Sequence, residues 1–220
     1  MLSENTAILS TAYFPPVQYF SKVFRYDHVI IEQHENYTKQ TYRNRCHIHG
    51  ANRILVLTVP ILKPSGLKLK IKDVRIDYDK PWQRLHFKSI ESAYRHSPFY
   101  EFYIDDIKHF FKKKISFLLD LNMQIYEVLC ELLQVEASGK LSEFFFPLND
   151  NSENDFRYTI HPKSQFEKPD TYFTHVEYYQ VFKDRHGFIE NLSALDLIFN
   201  EGPNAIVILE QTTKGAKNQK

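Results

Sequence analysis

Ala7-Ile-Leu-Ser-Thr-Ala-Tyr13, Phe14-Pro15-Pro16, Val17-Gln-Tyr-Phe-Ser-Lys-Val-Phe-Arg25 and His28-Val-Ile-Ile-Glu32 follow one another near the start of the chain, and their reading decides the fold class. The first segment is apolar enough for a buried strand, and the proline pair stops it. Pro16 suits the first turn of a helix, and Val17, Phe20, Val23 and Phe24 recur at helical spacing. His28–Glu32 is again strand-like. A strand, tight turn, helix and strand make a βαβ unit, which requires parallel pairing. The fold class expected is therefore α/β, with a mainly parallel or mixed sheet, flanking helices, a helical middle segment and a short C-terminal helix.

Ligands of such sheets bind beyond the carboxyl ends of the strands. That rule directs attention to Tyr13, Phe14 and the loop from Glu32 to Arg45. The stretch Glu35–Arg45 has no aliphatic side chain but carries Lys39, Arg43 and Arg45, the tyrosines Tyr37 and Tyr42, and the amides Asn36, Gln40 and Asn44. Guanidinium forks and a lysine point charge suit a carboxylate or phosphate. The same residues also describe a solvated connection whose cations pair with Glu32, Glu35 and other carboxylates.

Downstream, Cys46–His49 and Arg53–Leu62 read as strands joined across Gly50-Ala51-Asn52, and the alternation in Leu69–Ile76 reads as another. Pro81 opens a helix with a stripe of Trp82, Leu85, Ser89 or Ile90, and Ala93, which ends before Pro98. Phe99–Lys113 is helical, with Ile104, Ile107 and Phe111 in phase. The strongest periodicity runs through Leu118, Leu121, Ile125 and Leu132. Leu148–Asp170 is polar and reads as a long loop. Asn191 or Ser193 caps a last helix that Gly202-Pro203 ends. The domain expected is a single one over residues 1–210, followed by a disordered polar tail over 211–220.

Composition excludes some functions. In 220 residues the net charge is +1, so no global field draws nucleic acid. Lysine clusters at Lys63, Lys68, Lys70 and Lys72 and at Lys112–Lys114 read as solvated faces. Two cysteines, Cys46 and Cys130, give neither a disulfide framework nor a zinc site. The N-terminus lacks the pattern of a signal peptide and no apolar run is long enough for a span, so a cytoplasmic protein is expected. Six glycines and no phosphate-loop or nucleophile-elbow motif leave no cofactor to expect. The 18 Phe and 14 Tyr are many, and Tyr suits sugar and nucleotide pockets. His47 and His49 share one strand face and need a third ligand to hold a metal, so no metal site is expected. A second polar knot, Arg95-His96-Ser97-Pro98-Phe99-Tyr100, lies between helices. His96 is either a general acid–base or, with Arg95, a helix cap.

These motifs together resemble the WbqC-like family. Tyr13-Phe14-Pro15-Pro16-Val-Gln-Tyr19-Phe20 is similar to its opening aromatic-Phe-Pro turn, and Tyr37-Thr-Lys39…Arg43-Asn44-Arg45 to its Tyr-x-Lys…Asn-Arg segment. Leu57-Thr58-Val59-Pro60, Tyr94…Ser97-Pro98-Phe99-Tyr100, Asp120-Leu-Asn122 and Phe188…Ser193-Ala-Leu-Asp196-Leu-Ile-Phe199-Asn200-x-Gly202 follow in family order. Two departures stand out: Thr11-Ala12 replaces a Gln-Pro, and the Asn149–Pro169 loop replaces a Tyr-Leu-Ser-Gly segment. The resemblance implies a place in O-antigen or related surface-polysaccharide production and carries no established reaction.

Combined with the residues, it leads to an expected transferase on a nucleotide-activated or lipid-linked sugar. Lys39, Arg43, Arg45 and Asn44 would bind phosphates. Tyr13, Phe14, Tyr37, Tyr42 and Tyr100 would line the site, and His96, Glu32 or Glu35 would act as base. The alternative is a non-catalytic binding or scaffold protein. One geometric expectation follows from the first reading: Arg43 or Arg45 should share a pocket with His96 or Tyr100, beside Tyr13.

Overall fold

The structure is a computed structural model that describes residues 5–62, 69–148, 153–163, 165 and 168–213. Its framework is the βαβ unit of the opening stretch. Strand β1 (Thr6–Ser10), helix α1 (Val17–Arg25) and strand β2 (His28–Glu32) follow in order. β1 and β2 pair in parallel, from Thr6 opposite His28 to Ser10 opposite Glu32. Two antiparallel strands, β3 (Arg45–Gly50) and β4 (Arg53–Thr58), form a separate small sheet. Helices α2 (Trp82–Tyr94), α3 (Tyr100–Lys108) and α4 (Leu118–Leu132) fill the middle. A short strand, β5 (Gly139–Leu141), then adds to β2 in parallel, giving the order β1-β2-β5. On the other side of β1, Ile8 bridges Asp155, with Ile8 N–H donating to Asn154 O (2.9 Å) and Phe156 N–H to Ile8 O (2.9 Å). Helices α5 (Lys183–His186), α6 (Ala194–Glu201) and α7 (Ala205–Thr212) end the described chain. Among the described residues no helix is long and apolar enough to cross a membrane.

The α/β class, the parallel sheet and the flanking helices agree with the sequence reading. Val17, Phe20 and Val23 bury one stripe of α1, and Leu118, Leu121, Ile125 and Leu129 bury one of α4. Ser193 caps α6, accepting from Leu195 N–H at 3.3 Å.

Three local expectations differ. Leu69–Ile76 is not a strand: Ile71–Asp73 is a 3₁₀ turn, and the flanks make single bridges, Lys70 to Asn36, Ile76 to Ile61 and Arg75 to Phe117. Val74 and Ile76 are buried and Arg75 is exposed, so the alternation records burial. No ladder forms because each bridge goes to a different neighbour. On α2, Leu85 is 56% exposed, and His86 takes its place in the buried stripe. Finally, Gly202-Pro203 ends α6 but a further helix follows. Gln211 and Thr212 belong to its last turn, where Thr212 and Thr213 hydroxyls donate to Leu209 O at 2.6 and 2.9 Å. Residues 214–220, like Lys63 and Lys68, lie outside the described residues.

Gly202 has a backbone (φ +55°, ψ −126°) that favours glycine, and a Cβ there would lie 2.4 Å from the Phe99 ring. Gly202→Ala is expected to destabilise the protein by about 2 kcal/mol or more, from backbone strain and overpacking together. Urea denaturation checks this.

Candidate functional site

The carboxyl edge of the parallel sheet is sealed by a buried polar layer. Arg43 donates to Glu35 in a bidentate pair, Nε to Oε1 at 2.8 Å and Nη2 to Oε2 at 2.6 Å, and Nη2 also reaches Ser10 Oγ at 2.7 Å. Both residues are buried. Asn122 of α4 donates to Arg43 O at 2.8 Å, Tyr13 N–H to Tyr42 O at 2.9 Å, and Asn44 to Val59 O at 2.9 Å. The loop after β2 is therefore fastened inward by residues that composition alone leaves ambiguous.

Glu32, at the end of β2, is equally committed. It accepts from His34 N–H, Ser142 Oγ and Phe146 N–H, each at 2.8 Å, and Arg157 Nη1 lies 3.5 Å away. Arg157 itself pairs with Asp155 through Nε (2.9 Å) and Nη2 (2.5 Å). These bonds tie together the loops after β2 and β5 and the Asp155–Arg157 segment beside β1.

Above this layer lie two adjoining cavities. The larger, about 930 Å³, is lined by Thr38, Lys39 and Gln40 from the loop after β2, and by Asp155, Phe156, Tyr158, Thr159, His161, Lys163 and Lys168–Tyr172 from the later chain. The smaller, about 340 Å³, is lined by Glu35, Tyr37, Phe145, Arg157 and others, and both share Thr38, Leu148 and Tyr158. The far wall is clamped to α1. Lys22, fully buried, reaches Asp170 Oδ1 at 2.8 Å and Oδ2 at 2.7 Å, Gln18 Nε2 donates to Oδ2 at 2.9 Å, and the Lys22 ammonium lies 4.8 Å from the Phe156 ring centroid. Burial lowers the Lys22 pKa, and Asp170 opposes that shift.

The electrostatic balance of the cleft follows. Of its lining carboxylates, Asp155 is neutralised by Arg157 and Asp170 by Lys22. Lys39, Lys163, Lys168 and Glu153 also line it, next to the aromatic rings of Tyr158 and Tyr172. His161 on the same wall has its pKa lowered, first by burial and further by Arg43, Lys163 and Arg45, so its ring is neutral at pH 7.

The expected site residues are distributed unevenly about this cleft. Lys39 lines the larger cavity, and Tyr37 and Glu35 the smaller. Arg45 is half-buried, near enough to Tyr37, His47 and His161 to act on their charge states. Tyr42, Arg43, Asn44 and Glu32 are buried in the supporting layer, and Tyr13 and Phe14 in the core, where Phe14 (φ +39°) stacks on Phe111 at 5.9 Å. Neither His96, which is exposed, nor Tyr100, which is buried, lines either cavity. The Ser97–Tyr100 junction instead docks α6: Phe99 N–H donates to Phe199 O at 3.0 Å, and the Tyr100 ring lies 5.2 Å from Phe199. His47 sits edge-on to Tyr42 at 5.6 Å, and His49 packs 5.4 Å from Phe182.

Sequence reading misses Tyr158, His161, Lys163, Lys168, Asp170 and their anchors Lys22 and Arg157. The stretch around Asp155-Phe-Arg-Tyr-Thr-Ile160 does carry a signal, since it interleaves the buried Phe156 and Ile160 with charge in a way a solvated linker does not need.

Tyr13 has a different role from stacking on a ligand. Its hydroxyl lies 2.9 Å from His86 Nδ1, and the His86 ring is also hydrogen-bonded to the Thr58 backbone. Burial pushes the His86 pKa down to about 4, and His47 is likewise near 4. An unfolded imidazole titrates near 6.5, so the unfolded chain takes up protons that the native chain refuses. The resulting stability is intact above pH ~6.5 and is lost as pH falls toward 4. Thermal melts across that window should show a falling midpoint, with a shallower fall in His86→Gln; equal slopes would remove His86 from the account.

Comparison with known proteins bears on the whole arrangement. The uncharacterized protein Rv1507c of Mycobacterium tuberculosis (strain ATCC 25618 / H37Rv) is 30% identical over 91 residues, which cover 41% of this chain and 39% of that protein. The chain thus matches about two-fifths of the length of this relative. No solved structure gives a significant match. The profile of the WbqC-like protein family matches residues 11–165, a span that holds the loop after β2, the buried polar layer and most of the cleft. The chain belongs to the WbqC-like protein family.

Proposed function

We propose that the protein is a cytoplasmic transferase acting on an activated sugar, carried on a nucleotide or a lipid phosphate, in surface-polysaccharide biosynthesis. The observation that carries this reading is a cleft of about 930 Å³, lined by Tyr158, Tyr172 and the exposed Lys39, at the carboxyl edge of a parallel sheet. In this reading the lysines hold the phosphates, Tyr158 and Tyr172 pack against the sugar, and Arg43 and Arg157 position the walls. His161, neutral at pH 7, is the proton acceptor. A thermal-shift panel of nucleotide sugars, sugar phosphates and lipid phosphates tests it. A ligand at about 100 times its Kd adds about 2.7 kcal/mol, or a rise of roughly 5–10 °C for a chain of this size. The Lys39→Glu/Lys163→Glu variant should lose the shift. No shift from any compound, with the protein folded, overturns the reading.

A second reading, a binding protein without turnover, is favoured by the engagement of Glu32, Glu35 and Asp155 in buried hydrogen bonds and ion pairs. His161→Ala separates the two. A transferase keeps ligand binding and loses turnover, whereas a binding protein has no turnover to lose.

A further inference from the structure

We infer that two copies of this chain associate through β4, edge to edge and antiparallel, about a two-fold axis at Leu55. The product is one continuous sheet, in which β3 and β4 of one copy are followed by β4 and β3 of the other.

The hairpin ladder fixes which backbone groups of β4 face outward. β3 and β4 are joined across Ala51-Asn52 and pair without a bulge, from Gly50 opposite Arg53 to Arg45 opposite Thr58. Residues flanking a two-residue turn form a hydrogen-bonded pair, and such pairs alternate along the ladder with pairs whose groups point away from each other. Gly50–Arg53, Ile48–Leu55 and Cys46–Leu57 therefore bond inward, while Ile54, Val56 and Thr58 turn N–H and C=O away from β3. The opposite residues of β3 agree. His49 N–H donates to the Tyr94 hydroxyl at 3.2 Å, and His47 O accepts from Ser193 N–H at 2.8 Å, both leaving the hairpin. At Thr58 the edge is already met by the His86 ring. Among the described residues, the outward groups of Ile54 and Val56 have no partner.

This free stretch is self-complementary. An antiparallel copy centred on Leu55 sets Ile54 opposite the partner's Val56 and Val56 opposite the partner's Ile54. Both are hydrogen-bonded pairs, so every free group is matched and none outside the stretch is needed. Moving the centre to Val56 would call on Thr58, where His86 sits, and moving it to Ile54 would call on Asn52 in the turn. A second copy carries the required spacing by construction, and two identical strands close on each other by two-fold symmetry. The side chains suit the same operation. Ile54, Leu55 and Val56 are 46%, 39% and 43% exposed, and no charge or proline of the kind that guards an edge lies between Ile54 and Val59. The two copies of Arg53 fall at opposite ends of the paired stretch and do not repel. A contact this short lies at the small end of protein interfaces, so the dimer is concentration-dependent.

Sedimentation velocity over a concentration series tests this, and the average mass should rise from one chain toward two. Val56→Pro removes an outward N–H at a position where an edge strand tolerates proline. The two-fold makes that a loss of two hydrogen bonds, so the dimer Kd should rise at least about tenfold. Ile54→Lys places a charge on the edge and should weaken the dimer likewise, with circular dichroism confirming that both variants fold. Cysteine cross-linking reads the register, since the native Cys46 and Cys130 are buried. Leu55→Cys faces its own counterpart with Cα atoms about 4.5 Å apart, within disulfide reach, and should form a covalent dimer on oxidation. Ile54→Cys lies on a diagonal of about 7–8 Å and should lag far behind; this pair decides the matter if either edge variant unfolds. A chain that stays monomeric at every concentration overturns the inference, even if β4 captures a strand of another protein. So does a dimer that both edge variants leave intact, or one that Ile54→Cys cross-links and Leu55→Cys does not.

Discussion

Replacing Arg43 with alanine is expected to destabilise the protein by about 3–5 kcal/mol, whatever it does to ligand binding. As a surface cation of a binding loop, Arg43 would be dispensable for folding. The structure buries it in a bidentate pair with Glu35, with a further bond to Ser10 and its own carbonyl held by Asn122. Truncation leaves the Glu35 carboxylate buried without its counter-ion, and that uncompensated charge dominates the loss. Arg43→Met/Glu35→Leu, which removes both charges, should recover most of the stability, as hydrophobic replacement of buried pairs does. Lys39→Ala, at an exposed position, should stay within about 0.5 kcal/mol of wild type. Urea denaturation at pH 7 gives all three values. A loss below about 1 kcal/mol for Arg43→Ala would show that the pair is hydrated and does not support the fold.

Asp170→Ala is expected to cost a similar 3–5 kcal/mol and, in addition, to loosen one wall of the cleft. Asp170 accepts from Lys22 and Gln18 on α1 and from Tyr172 N–H at 3.1 Å, so a single carboxylate joins a core helix to the Lys168–Tyr172 wall. Without it, Lys22 is left charged against the Phe156 and Phe173 rings, which offset only part of its desolvation. Hydrogen exchange should then accelerate at residues 168–173, and affinity for any cleft ligand should fall with it. Lys22→Met in the same variant should restore stability without restoring the wall. Recovery of the wall in that double variant would show that the Lys22–Asp170 contact has no part in holding it.

The sequence discloses elements more readily than partners. The opening strands and helix are legible because proline, helical spacing and apolar runs act locally, before any distant contact forms. Leu69–Ile76 shows the limit: Val74 and Ile76 face inward as the alternation says, but whether an inward-facing segment joins a ladder depends on what lies beside it. The Arg95–Tyr100 knot is a sharper case. Arginine, histidine and tyrosine at a junction look alike whether they meet a ligand or a helix. Only the fit of Phe99 onto Gly202, about a hundred residues away, decides for the helix. For the loop after β2, composition supplies the cations but not their pairing. Arg43 turns inward to Glu35 while Lys39 faces the cleft, a difference set by the tertiary position of Ser10 and Asn122. The Asp155–His161 wall goes unread for the opposite reason, since polar composition hides two buried anchors.

The position of Asp155 beside β1 also sets the order of events on the ribosome. β1 is synthesised well before residues 154–156, which cover its outer edge and follow it by about 146 residues (154 − 8). At ~5–20 residues per second that edge stays bare for roughly 7–30 seconds. Ala7, Ile8 and Leu9 stand there as an apolar template for any other unpaired strand. A chain that stops before residue 154 never covers it, so nascent or truncated forms of this protein are natural clients for a chaperone that shields β-edges.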